Sequence, residues 1–131
     1  MKNIITAIAT DSKDTLKNMH FGEAFQYHLY EISPDHFRHV KTIANNTILD
    51  ETHADENKAK GIGGILKKEN VKVLVSRQFG ANIKHMKTKF ACIQTNQITL
   101  PGSIEEFQSR YSSILEEIEN GDERKVLNFR K

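Results

Sequence analysis

The chemistry of this chain starts at Met19-His20-Phe21-Gly22, where a histidine stands at a glycine turn just ahead of an aromatic-rich run. An imidazole on a loop beside a strand can be offered to open space, where metals and anions reach it. Gly22 would give the turn its backbone freedom, and Phe21 and Phe25 are expected in the core. The plainer alternative is that His20 only caps or hydrogen-bonds the turn.

A second group lies at Ser76-Arg77-Gln78-Phe79-Gly80-Ala81-Asn82-Ile83-Lys84-His85. A strand that feeds a helix through a glycine leaves free amides at the helix start, and these attract anions. Arg77, Lys84 and His85 add positive charge. The glycine spacing is neither that of a Walker loop nor that of a dinucleotide fingerprint. A simple strand-to-helix turn with solvated charges fits the same residues.

The single cysteine, Cys92, excludes an internal disulfide and any four-cysteine cluster cage made from this chain alone. Placed mid-strand between Ala91 and Ile93, it reads as a small buried hydrophobe. His36 and His39 are three apart in an expected strand, so they face opposite sides and cannot jointly grip a metal. His28 reads as an ordinary strand residue, and His53 lies undistinguished near a helix start.

These residues need a frame. Residues 2–9 alternate as a first strand, residues 11–22 are a polar loop, and residues 24–32 form a second strand. Ser33-Pro34-Asp35 turns the chain into a third strand over 36–44, giving an antiparallel hairpin. A helix is expected over 54–69 with Ala59, Ile62, Ile65 and Leu66 as its apolar stripe. Gly61, Gly63 and Gly64 cost that helix roughly 1 kcal/mol each; close approach of its backbone to a sheet would explain them, and a distorted helix is the plainer alternative.

Residues 71–76 form a buried strand of the parallel type, 80–89 a short helix and 90–94 a further strand. In the final helix Ser103 and Glu106 have capping-box spacing, Ile104, Phe107, Tyr111, Ile114, Leu115 and Ile118 repeat helically, and Gly121 closes the end. The order predicts an α/β fold of three layers, with a mixed five-stranded sheet, its second strand antiparallel, between helices on both faces.

A length of 131 residues suits one domain, taken as residues 1–121 with a charged tail over 122–131 in which Val126, Leu127 and Phe129 are the residues able to dock. With 37% hydrophobic and 27% charged residues and a net charge of +2, the composition is that of a soluble protein. The basic residues are scattered, which argues against a nucleic-acid footprint. No apolar run reaches membrane-span length, so a cytoplasmic protein is expected. Enzyme readings find little support. Asp11 and Glu31 lie near strand ends, but the strand at 71–76 ends without an acid, which leaves a two-metal site incomplete. No serine sits in a nucleophile elbow.

His20-Phe21-Gly22, then Ala24, Phe25 and Tyr30-Glu31, resembles the signature of the dinitrogenase iron-molybdenum cofactor biosynthesis family. These are nitrogenase accessory proteins of the NifX and NifY type, which bind and carry iron–sulfur cofactor precursors. The likeness runs over about residues 2–120 in motif and element order. It implies a ribonuclease-H-like, nitrogenase accessory factor-like fold. It also implies that the family's cofactor-binding histidine falls on His20, as the metal ligand. The Gly80 loop would meet anionic cargo, so Gly22, Arg77, Gly80, Asn82, Lys84 and His85 join the expected cofactor-binding set. The function implied is that of a non-enzymatic carrier in nitrogen fixation, binding an iron–sulfur or iron–molybdenum metallocluster, with cofactor-assembly or nitrogenase proteins as partners. The chain has no radical-enzyme cysteine triplet, which separates it from the cofactor-building enzyme. A module of the same fold that binds a small anionic metabolite or a protein, without a cluster, is the alternative.

Overall fold

The structure, a computed structural model, describes residues 3–45, 55–80 and 83–130, with backbone alone for 55–61. Six strands form one mixed sheet: β1 (Ile4–Thr10), β2 (Gln26–Ile32), β3 (Phe37–Ala44), β4 (Val73–Ser76), β5 (Ala91–Gln94) and β6 (Leu127–Asn128). Their spatial order is β3-β2-β1-β4-β5-β6. β2 is antiparallel to both β1 and β3, whereas β4, β5 and β6 continue the sheet in parallel.

Pleat alternation divides the core. Ile4, Ile8, Ile32, Val73, Val75 and Ile93 face a layer built by α3 (Leu100–Ser109) and α4 (Tyr111–Glu119). Ala7, Tyr27, Leu29, Leu74 and Cys92 face the other layer, built by α1 (Asp55–Lys68) and the one-turn α2 (Ile83–Met86). The three-layer α/β class and the antiparallel second strand stand as the sequence implied.

The strand count is six rather than five. The extra strand comes from the stretch read as a charged tail: Phe129 N–H donates to Gln94 O at 2.8 Å, and the Arg110 guanidinium lies 4.4 Å over the Phe129 ring. Arg124 donates to the carbonyls of Ile118 and Thr88 at 2.9 and 3.0 Å. A two-residue strand among charges leaves no periodic trace in sequence.

The final helix also differs. Its N-cap is Thr99, whose hydroxyl accepts from Gly102 N–H at 3.0 Å, and Pro101 lies in the first turn. Ser103 is already inside the helix, donating to Leu100 O, and Glu106 accepts from the Thr95 hydroxyl at 2.6 Å. The expected capping box is therefore not formed; a better cap four residues upstream wins. A break at Arg110 (φ −117°, ψ 23°) then divides the helix in two. Gly121, with φ +57°, ends the second piece as expected.

Close approach does not account for Gly63 or Gly64, and the surroundings of Gly61 lie outside what is described. A Cβ on Gly63 or Gly64 would meet nothing within 4 Å. Gly64 is exposed on the helix, so Gly64→Ala should stabilise the fold by about 0.5–1 kcal/mol. A higher urea midpoint at unchanged slope is the expected reading.

Candidate functional site

Two loops at one end of the sheet carry the expected chemistry, and backbone bonds stitch them together. His20 and Gln78 form a parallel bridge outside the named strands. Phe21 N–H donates to Gln78 O at 3.0 Å, the Ser76 hydroxyl donates to Met19 O at 3.3 Å, and the Gln78 amide donates to Asn18 Oδ1 at 2.6 Å. Beneath the junction, Phe21 is buried between Phe79 and Tyr27, with ring centroids 5.7 and 4.8 Å away. The Tyr27 hydroxyl donates to Phe21 O at 2.8 Å, and its burial pushes the phenol pKa up.

His20 sits at the N-cap of a single 3-10 turn, Phe21–Glu23. Its backbone N–H donates to Glu23 Oε1 at 3.0 Å, and Glu23 N–H donates back to His20 O at 2.9 Å. Capping is thus one of its roles. The side chain is nonetheless 48% exposed, with Nδ1 3.6 Å from Glu23 Oε1. Among the described residues Nε2 makes no hydrogen bond. A carboxylate beside one ring nitrogen favours the proton there and leaves the lone pair on the other.

The ring rests on Gly80. A Cβ at that position would stand 2.8 Å from His20 Nδ1 and 3.3 Å from Cγ, inside van der Waals contact. Gly80 acts here as a flat seat for the imidazole, a role the sequence did not suggest. Gly22 is different, since a Cβ there would find only Ile62 Cδ1 at 4.0 Å and its φ lies outside the left-handed range. Phe21 is in the core as expected; Phe25 is not, being 57% exposed. Thr10 O and Asn45 N–H engage its backbone and leave the ring outside.

The basic residues do not gather on His20. Lys84 and His85 are exposed on α2, which is one turn long and so offers little helix dipole. The Gly80 carbonyl closes that turn, accepting from Ile83 N–H at 3.1 Å. Arg77 is half-buried; its carbonyl accepts from Arg130 at 3.0 Å, and its Nε is enclosed without a partner among the described residues. Asn82 and His53 lie outside the described residues.

Other candidates resolve simply. Cys92 is fully buried, which pushes its thiol up to about 12. Asp11 braces a turn, accepting from Lys13 and Thr15 amides at 2.8 and 2.9 Å, and the Thr15 amide foremost holds its carboxyl below the usual range. Glu31 pairs with Arg38 at 3.3 Å. No group of three or more His, Cys, Asp or Glu side chains among the described residues is placed to hold a metal ion. No described helix is long and apolar enough to cross a membrane.

Sequence reasoning missed one polar cluster, Asp14, His28, His39 and Thr42 on β2, β3 and the loop before them. His28 reads in sequence as an ordinary strand residue, and the β-bulge that brings His39 to its face leaves no mark there.

The sequence profile described as dinitrogenase iron-molybdenum cofactor matches residues 2–113. The chain belongs to this family. Solved structures share this fold. A crystal structure of a Methanocaldococcus jannaschii protein, provisionally described as a dinitrogenase, is 20% identical with a TM-score of 0.62, over 83% of this chain and 91% of that one. An NMR structure of the same protein, its source named as Methanococcus jannaschii, aligns at 18% identity with a TM-score of 0.58, over 85% and 92%. At such identities the likeness is one of fold. No curated protein matches the chain.

Proposed function

We propose that this member of the family is a non-enzymatic carrier that lends His20 as one exchangeable ligand to an iron–sulfur or iron–molybdenum cofactor precursor. The observation that carries this reading is the half-exposed imidazole seated on Gly80, with its Nε2 free of hydrogen bonds among the described residues. Imidazole is a good ligand for iron. A single protein ligand suits cargo that must pass to the next protein in cofactor assembly, in the cytoplasm. Exposed Lys84, four residues beyond Gly80, adds only solvent-screened positive charge to this part of the surface.

Anaerobic incubation of the full chain with ferrous iron and sulfide, read by visible absorbance after desalting, tests it. Wild type should keep a chromophore, and His20→Ala should lose most of it. Equal retention by both would sink the proposal. A small-anion module is the second reading, favoured by the enclosed Arg77 Nε, which has no partner among the described residues. A colourless protein whose melting temperature rises with inorganic phosphate would support it instead.

A further inference from the structure

The cluster on β2 and β3 is separate from the His20 site and has its own chemistry. His28 is 7% exposed. Its Nε2 lies 2.8 Å from Asp14 Oδ1 and its Nδ1 lies 3.0 Å from Thr42 Oγ1. His39 Nε2 approaches the same hydroxyl at 2.9 Å. Two ring nitrogens on adjacent strands therefore converge on one oxygen.

The bulge makes this possible. Thr42 stands opposite His28, and Tyr30 stands opposite His39 where an unbroken ladder would place Val40. The slip moves the His39 ring to the face of His28 and Thr42. The Tyr30 ring then meets it edge-on at 5.2 Å, which limits its orientation.

An ionised carboxylate can only accept, so Asp14 fixes the His28 proton on Nε2 and leaves a lone pair on Nδ1. A carboxylate behind an imidazole is the arrangement that orients metal-bound histidines, and the far nitrogen here is unprotonated, accepting from the Thr42 hydroxyl that a metal would displace into its own shell. The spacing fits as well. Neighbouring ligands of an octahedral ion with bonds of about 2.1 Å stand about 3.0 Å apart, and both nitrogens are that far from Thr42 Oγ1. His39 is exposed and free to adopt the tautomer with Nε2 unprotonated.

We propose that His28 Nδ1, His39 Nε2 and Thr42 Oγ1 bind one first-row divalent transition-metal ion, with Asp14 positioning His28 and water completing the shell. Imidazole nitrogens select ions such as nickel over calcium or magnesium. Asp14 adopts φ 63°, which asparagine also tolerates, so Asp14→Asn removes the charge and keeps the turn.

Calorimetric titration of tag-free full chain with Ni2+ tests the site. Wild type should take up one equivalent, with no comparable response to Mg2+. His39→Ala, at an exposed position, should abolish that uptake, and Asp14→Asn should weaken it by about 10- to 100-fold, both with wild-type melting curves. Absence of stoichiometric uptake by wild type overturns the proposal. So does uptake that survives His39→Ala, or that is lost in His20→Ala.

Discussion

Gly80→Ala should cut cluster retention about as deeply as His20→Ala does, while leaving the melting temperature within a few degrees of wild type. A methyl group at this position lands 2.8 Å from His20 Nδ1, a separation that real Cβ atoms do not tolerate. The backbone does not resist the change, since Gly80 lies outside the left-handed region. What gives way is the imidazole, a half-exposed ring that can swing off its seat at little cost to folding. Ligand groups serve only when held within about half an ångström of their place, so displacement alone weakens binding by roughly tenfold or more. Absorbance after reconstitution measures retention, and the His20 ring resonances, followed by NMR without any metal, measure the displacement itself. Unmoved resonances in Gly80→Ala would show that the seat is not what holds the ring.

Phe21→Ala should produce the largest loss of stability at this end of the molecule. Phe21 is 2% exposed, packed on Tyr27 and Phe79, and its removal leaves a cavity that rigid neighbours cannot fill. Such truncations cost about 3–5 kcal/mol, a large part of the roughly 5–15 kcal/mol that holds a domain together. For a chain of this size the melting temperature should fall by roughly 10–20 °C. A drop of only a few degrees would mean that the aromatic trio is not the support of the two-loop junction. Phe21→Leu keeps most of the volume and should recover most of the loss.

Much of the architecture was open to reading because its signals are local and repeated. The hairpin showed in two β-rich runs around Ser33-Pro34-Asp35, and the turn closes through Ser33 N–H donating to His36 O at 2.9 Å. The parallel centre showed in the unbroken apolar run Val73-Leu74-Val75, buried on both faces. What escaped depends on partners far away in sequence. Phe25 looks like a core aromatic, yet its own backbone pairs with Thr10 O and Asn45 N–H and leaves the ring in solvent. Thr99 outcompetes Ser103 as a cap because Gly102 can approach its hydroxyl, a contest that spacing rules do not decide.

The site was half legible for the same reason. His20 and Gly80 could each be picked out as unusual, fifty-nine residues of intervening chain notwithstanding. That one is the platform of the other follows only from the bridge between His20 and Gln78, which nothing local encodes. The bulge at Leu29 and Tyr30 is equally silent, because an extra residue in a ladder leaves each strand's own composition unchanged.

Cys92 gives the experimenter something unplanned. The only thiol of the chain is sealed inside β5, and burial holds its proton tightly. A thiol-reactive dye can therefore label the protein only when the central sheet opens, so the pace of labelling is a clock for rare excursions of the native fold.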